Sequence, residues 1–146
     1  MSQANHPNAV LGTERVLSSP PRKIFAAFEH PERLAQWWGP SGFTNTFEQF
    51  EFKPGGRWVF VMHGPNGADF FNVSEFLDIV QDARVVIDHL RPMHRFTLTI
   101  TMDQHKGKTT LVWRQRFATE AEFVEIREFL FHANEQNLDR LGQLLT

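Results

Sequence analysis

A chain of 146 residues has the length of one ordinary domain, with a core that takes roughly 70% of the unfolded surface out of water. Its 15 basic and 17 acidic residues are spread along the length, giving a formal charge of −2 and no basic stripe for a phosphate backbone, so nucleic acid is excluded as an expected partner. With no cysteine it has neither disulfides nor thiolate chemistry; 15 Phe and 4 Trp against no Tyr make a ring-rich interior whose polar chemistry comes from other side chains.

The first seven residues, Met1 to Pro7, lack the basic-then-apolar pattern of a signal peptide, and no apolar run nears the ~20 residues of a membrane span. The expectation is a cytoplasmic protein without membrane insertion, one domain over residues 1–146 whose first eight residues form a disordered or loosely held tail.

Ala9 to Leu17 reads as the first strand. Ser18-Ser19-Pro20-Pro21 then starts a helix, with a serine cap and prolines in the first turn. It continues to about Phe28, presenting Ile24, Phe25 and Phe28. His30-Pro31 restarts the chain into a second short helix carrying Leu34, Trp37 and Trp38, which Gly39-Pro40 and Gly42 stop.

From Phe43 to Phe117 the period changes to two. Phe50 and Phe52 lead into Lys53-Pro54-Gly55-Gly56, the residue order of a type II turn. Trp58, Phe60 and Met62 alternate with Arg57, Val59 and Val61 up to the turn Gly64-Pro65-Asn66-Gly67. Strands over about Phe70 to Val80 and Arg84 to His89 follow. Phe96 to Met102 alternates strictly, with threonine on the outer face, and its partner after Lys106-Gly107 carries Leu111, Trp113, Gln115 and Phe117 on one side. Short loops between consecutive strands make the sheet antiparallel.

The last element spans about Glu120 to Leu145, free of proline and of glycine until Gly142. At helical spacing, Phe123, Ile126, Leu130, Leu138, Leu141, Leu144 and Leu145 fall within about 120° of arc. Arg127, Asn134 and Asn137 interrupt that arc, within about 40° of its centre. Phe129 sits at its edge.

Six to seven strands at about 4.8 Å spacing make a sheet roughly 25–30 Å wide, whereas one helix covers only about 10–12 Å. The expected architecture is therefore α+β, a curved antiparallel sheet around a long C-terminal helix, with two short helices after the first strand and an apolar cavity between helix and sheet.

This order of elements, with Ser19-Pro20-Pro21-Arg22-Lys23-Ile24-Phe25-Ala26-Ala27-Phe28, His30-Pro31-Glu32-Arg33-Leu34-Ala35-Gln36-Trp37-Trp38-Gly39-Pro40, Phe52-Lys53-Pro54-Gly55-Gly56-Arg57-Trp58 and Leu138-Asp139-Arg140-Leu141, resembles the START-like (SRPBCC, helix-grip) superfamily. Within it, the chain is similar to the bacterial activator-of-heat-shock-ATPase-homologue-like group. The resemblance implies a helix-grip fold over about residues 9 to 146. It leaves function open, because the superfamily includes lipid carriers, hormone receptors, polyketide cyclases and co-chaperone domains. Many relatives have Gly-Trp where this chain has Ala133-Asn134; the asparagine implies a more polar pocket at that point.

The expected ligand-binding residues are Trp37, Trp38, Trp58, Phe60, Met62, Leu98, Ile100 and Trp113 from the short helix and the strands, with Arg127, Leu130, Asn134 and Asn137 from the long helix. A buried amide left unpartnered costs several kcal/mol, roughly 2–7, so the three polar interruptions either face a wet cavity or bond to strand groups such as Gln115 and Glu75. His63, His89, His94 and His105 lie in or near turns without metal-ligand spacing and read as solvated. Asp88-His89 offers an acid–base pair, but no Gly-x-Ser-x-Gly elbow, cysteine or carboxylate dyad accompanies it. No catalytic residue, metal or cofactor is assigned.

The leading expectation is a module enclosing a hydrophobic or aromatic small molecule. One alternative is a cyclase- or dehydratase-type enzyme on a polyketide-like substrate, with Arg127, Asn134 and a cavity histidine polarising a carbonyl. The other is an interaction domain like the chaperone-ATPase activators, which the resemblance disfavours because the eukaryotic activators use a separate N-terminal domain for the ATPase. A homodimer through the sheet face or an edge strand stays open.

Overall fold

The computed structural model describes residues 9–146; the expected tail, residues 1–8, lies outside the described residues. In chain order the elements are β1 (Val10–Leu17), α1 (Pro21–Glu29), α2 (Pro31–Trp37), β2 (Thr44–Phe50), β3 (Arg57–His63), β4 (Asp69–Val80), β5 (Arg84–Arg91), β6 (Phe96–His105), β7 (Lys108–Phe117) and α3 (Glu120–Leu145). The strands form one sheet in the order β1-β7-β6-β5-β4-β3-β2, antiparallel throughout. This is the expected α+β helix-grip arrangement.

Local chemistry bends the sheet. Gly55 takes φ +83° and Gly56 N–H bonds to the Lys53 carbonyl at 2.8 Å, so the proline-glycine turn forms where the residue order places it. Bulges between Phe47 and Gln49 in β2, and at Val73/Ser74 and Phe76/Asp78 in β4, curl that half of the sheet around α3.

The expected serine cap on α1 is corrected. Pro20 is the N-cap, without a side-chain cap bond, and Pro21 opens the helix. Proline has no side-chain acceptor to cap with, and the Lys23 N–H bonds the Pro20 carbonyl at 3.0 Å; the Ser19 carbonyl accepts a 2.6 Å bond from Thr109 Oγ1 of β7. At α3 the cap is a side chain: Thr119 accepts from Glu122 N–H at 3.2 Å.

Over its 26 residues α3 runs about 39 Å, but it is gripped unevenly. Before Asn134 only Phe123 is buried; beyond it Asn134, Asn137, Leu138 and Leu141 all are, the two leucines completely. The main core lies under that second half, around Trp37, Trp58, Phe76, Ile100 and Leu111. A smaller cluster of Ala9, Phe117 and Phe123 closes the far end.

Leu138-Asp139-Arg140-Leu141 holds the helix in place. Arg15 of β1 bonds Asp139 at 2.8 Å and Glu135 at 2.9 Å. On the other flank the Arg140 guanidinium donates to five carbonyls, those of Gln36, Trp38, Gly39, Pro40 and Phe43, at 2.8–3.1 Å. Burial draws its pKa below the ordinary guanidinium value. The chain from Gln36 to Phe43 is thereby stapled to α3.

Candidate functional site: a cavity between sheet and helix

Between the sheet and the middle of α3 lies a cavity of about 330 Å³. The register explains its floor. Trp58 and Phe60 of β3 face inward, opposite Ser74 and Asn72 of β4; Leu98 of β6 lies between Ile87 of β5 and Gln115 of β7. All seven side chains line the space. Ile126, Leu130, Ala133, Asn134 and Asn137 of α3 roof it. One end is formed by Trp38, Gly39, Pro40 and Phe43, the segment held by Arg140, and the other by Pro92, Met93 and His94 after β5.

Trp38, Trp58, Phe60, Met62, Leu98, Trp113, Leu130, Asn134 and Asn137 are among the lining residues. Trp37, Ile100 and Arg127 are not, which corrects three expectations. The Trp37 ring is core, 1% exposed, with Nε1 donating to the Ala27 carbonyl at 3.0 Å. Ile100 is fully buried beside Trp113, a layer past the cavity's edge. Arg127 is exposed, its guanidinium over the outer Phe123 ring at 5.7 Å; a long cationic side chain reaches water from a position where a short one would be trapped.

Asn72 and Ser74 were legible through strand register once Trp58 and Phe60 were placed. His89 and His94 are corrected from solvated turn residues to half-buried cavity residues. The His89 ring stacks on Phe96 at 4.6 Å and Nε2 donates to the Pro92 carbonyl at 3.0 Å. His94 faces Glu122 at 3.4 Å and Glu125 at 3.3 Å on α3, tying the loop to the helix. Asp88 turns away to Arg95 at 3.2 Å, so the acid–base pair does not assemble.

The polar inventory is small. Asn134 Nδ2 donates to Gln115 Oε1 at 2.6 Å, a buried amide pair spanning roof and floor. Among the described residues, the indole N–H groups of Trp58 and Trp113 and the Asn137 carbonyl oxygen are buried without a partner; Asn45 Oδ1, outside the cavity lining, is the fourth such atom. None of the described lining residues is Asp, Glu, Lys or Arg. No group of three metal-ligating side chains occurs among the described residues, and no helix there is long and apolar enough to cross a membrane.

Burial lowers the His89 pKa; His94 acts in the same direction, and the Pro92 carbonyl and Asp88 oppose it. The unfolded chain then takes up a proton near pH 6.5 that the folded chain accepts only at lower pH. Stability is full above that value and declines below it, by at most about 1.4 kcal/mol per pH unit. Urea midpoints are expected to fall from pH 7 to pH 5.5, and to fall less in His89→Gln, which keeps a donor for Pro92. Equal slopes in both proteins would contradict this.

A sheet wrapped on one long helix, with two short helices at its edge and a space beneath, defines the START-like (SRPBCC) class. Residues 18–146 match the family described as activator of Hsp90 ATPase homolog 1-like protein, and the chain belongs to that family. Solved structures repeat the fold. A protein from Nitrosomonas europaea is 22% identical, with 97% of this chain and 96% of that one covered and a TM-score of 0.84. One from Arthrobacter aurescens is 19% identical over 95% and 87% of the two chains, at 0.87. A Silicibacter pomeroyi protein that also carries the family's name is 20% identical over 94% and 97%, at 0.76. At such identities the likeness speaks for the fold alone. No curated protein matches the chain.

Proposed function

We propose that this protein is a single-domain binding module that encloses a small hydrophobic or aromatic molecule between the sheet and α3. The observation that supports it most is a cavity of about 330 Å³ walled by Trp, Phe, Leu and Ile side chains, at the lower end of the size range of small-molecule sites. The space is partly open rather than sealed, so its apolar walls meet water that a bound guest displaces. Uneven gripping of α3 fits the same reading, since the loosely held half roofs the space.

Titration with flavonoids, polycyclic aromatic compounds and acyl lipids tests the reading. The expected result is a shift in tryptophan fluorescence for at least one class, because Trp38, Trp58 and Trp113 all line the cavity, together with a raised melting temperature. If every class leaves both signals unmoved, the binding role is lost.

A further inference from the structure

We infer that the guest enters and leaves the cavity between the β5–β6 loop and the first half of α3, through a gap that His94 clasps shut. This rests on the binding role proposed above and adds the route and the residue that governs it. The cavity is partly open, so residues that line it and are also exposed mark where it meets solvent. Three large apolar residues meet both conditions: Met93 of the loop is 76% exposed, Phe129 of α3 67% and Phe70 of β4 37%. They fall on one side of the molecule. β4 and β5 run antiparallel, with Val73 opposite Arg91, so the start of β4 lies alongside the loop that follows β5. Phe70 thus borders the loop on the sheet side. On the helix side, Phe129 stands one turn beyond Glu125, which His94 of the loop touches.

The two ends of the cavity are fastened to α3 very differently. At the Trp38–Phe43 end, Arg140 donates to five carbonyls, and the Ser41 N–H adds a 3.1 Å bond to Gln136 Oε1. That end meets the deeply seated half of the helix, where Leu138 and Leu141 are fully buried. At the loop, the polar contacts with α3 among the described residues are those of His94. Its Nδ1 lies 3.4 Å from Glu122 Oε1 and its Nε2 3.3 Å from Glu125 Oε1. They reach the half of the helix in which only Phe123 is buried. With Glu125 exposed, such a clasp opens at small cost. The loop is anchored to the sheet at both ends, by His89 Nε2 on the Pro92 carbonyl at 3.0 Å and by the Ala118 N–H on the Arg95 carbonyl at 3.2 Å. Met93 and His94 span the interval. Met93 has φ +64°, a left-handed conformation uncommon outside glycine, so contacts more than local preference hold the span in shape. Losing those of His94 frees the span and the first turns of α3 together, and the gap between Met93 and Phe129 widens.

Stopped-flow tryptophan fluorescence of the whole chain with naphthalene reads the route. In His94→Ala, the association and dissociation rate constants are both expected to rise about fivefold, with Kd held within about twofold. The double variant Glu122→Gln/Glu125→Ala, which keeps an acceptor for the Thr119 hydroxyl, opens the clasp from the helix side and moves both rates the same way. Gln136→Leu breaks the Ser41 bond at the opposite end and should leave both rates within about twofold of the parent. Backbone hydrogen exchange gives a reading independent of any guest: in the two clasp variants protection falls over residues 120–131 and is kept over 134–145. Faster rates in Gln136→Leu, with the clasp variants unchanged, would move the passage to the Trp38–Phe43 end and overturn the inference. Unchanged rates and protection in all three variants overturn it as well. In both cases naphthalene still binds the parent, and the binding role stands. Failure of naphthalene to bind the parent removes the passage together with the binding role.

Discussion

Replacing Arg140 with methionine is expected to lower the stability of the fold by about 3 kcal/mol and its melting temperature by roughly 10 °C. The side chain donates to five backbone carbonyls between Gln36 and Phe43, and four of those bonds are 3.0 Å or shorter. Methionine keeps most of the apolar stem and removes every donor, so the loss is in hydrogen bonding more than in packing. Four of the five contacts are partly buried, that to Gln36 being exposed, and an unpaired buried acceptor costs about 1–3 kcal/mol. Five such contacts do not add, because the segment relaxes once several are gone. Arg140→Lys tests the geometry: an ammonium has three donors without a planar fork, and recovers only part of the loss. Since Trp38, Gly39, Pro40 and Phe43 also form one end of the cavity, the methionine variant should loosen it and change the Trp38 contribution to fluorescence. Urea unfolding of the three proteins decides; a methionine variant within about 0.5 kcal/mol of the parent would reduce the staple to a surface contact.

That staple shows where reading the sequence stops. The motif around Arg140 marks the fold, but its reason is a set of carbonyls a hundred residues away, and carbonyls carry no side-chain signature. Features with a local period were readable. β3, β6 and β7 alternate because one face is buried, and α3 keeps its apolar arc because one side meets the sheet. Period gives the face and not the depth, which is why Leu98 lines the cavity and Ile100, on the same face of β6, does not. Trp37 and Trp38 divide for a different reason. Trp37 ends α2 facing the core, while Trp38 already has extended dihedrals (φ −71°, ψ 133°), outside any helical projection. His89 and His94 escaped for reasons of tertiary structure: His89, within β5, bonds the Pro92 carbonyl of the loop that follows, and His94 in that loop meets Glu122 and Glu125 of α3.

Asn134 ties these levels together. The resemblance to relatives with tryptophan there implied a more polar pocket, and the structure has Asn134 bonded across the space to Gln115. Burying a small amide pair where a large ring would project is one physical source of the empty volume. Hydrogen bonding keeps the pair from being costly, and the void beside it stays accessible to a guest.

Filling that void should abolish binding while leaving the fold. In Ala133→Trp, the indole is introduced from the roof at a residue that lines the cavity and is only partly buried. A naphthalene-sized guest buries about 150–200 Å², worth roughly 4 kcal/mol, so its exclusion corresponds to a loss near 10³-fold in affinity. The fold itself should lose no more than about 2 kcal/mol, because the ring enters space that is not already packed. Asn134→Trp makes the contrast. It also occupies the cavity, but strands the Gln115 amide in the core and is expected to cost about 1–3 kcal/mol more than Ala133→Trp. Calorimetry with naphthalene, run beside urea unfolding of both variants, reads the two effects separately. If Ala133→Trp binds naphthalene as the parent does, the guest sits elsewhere on the molecule and the space under α3 is only a packing defect.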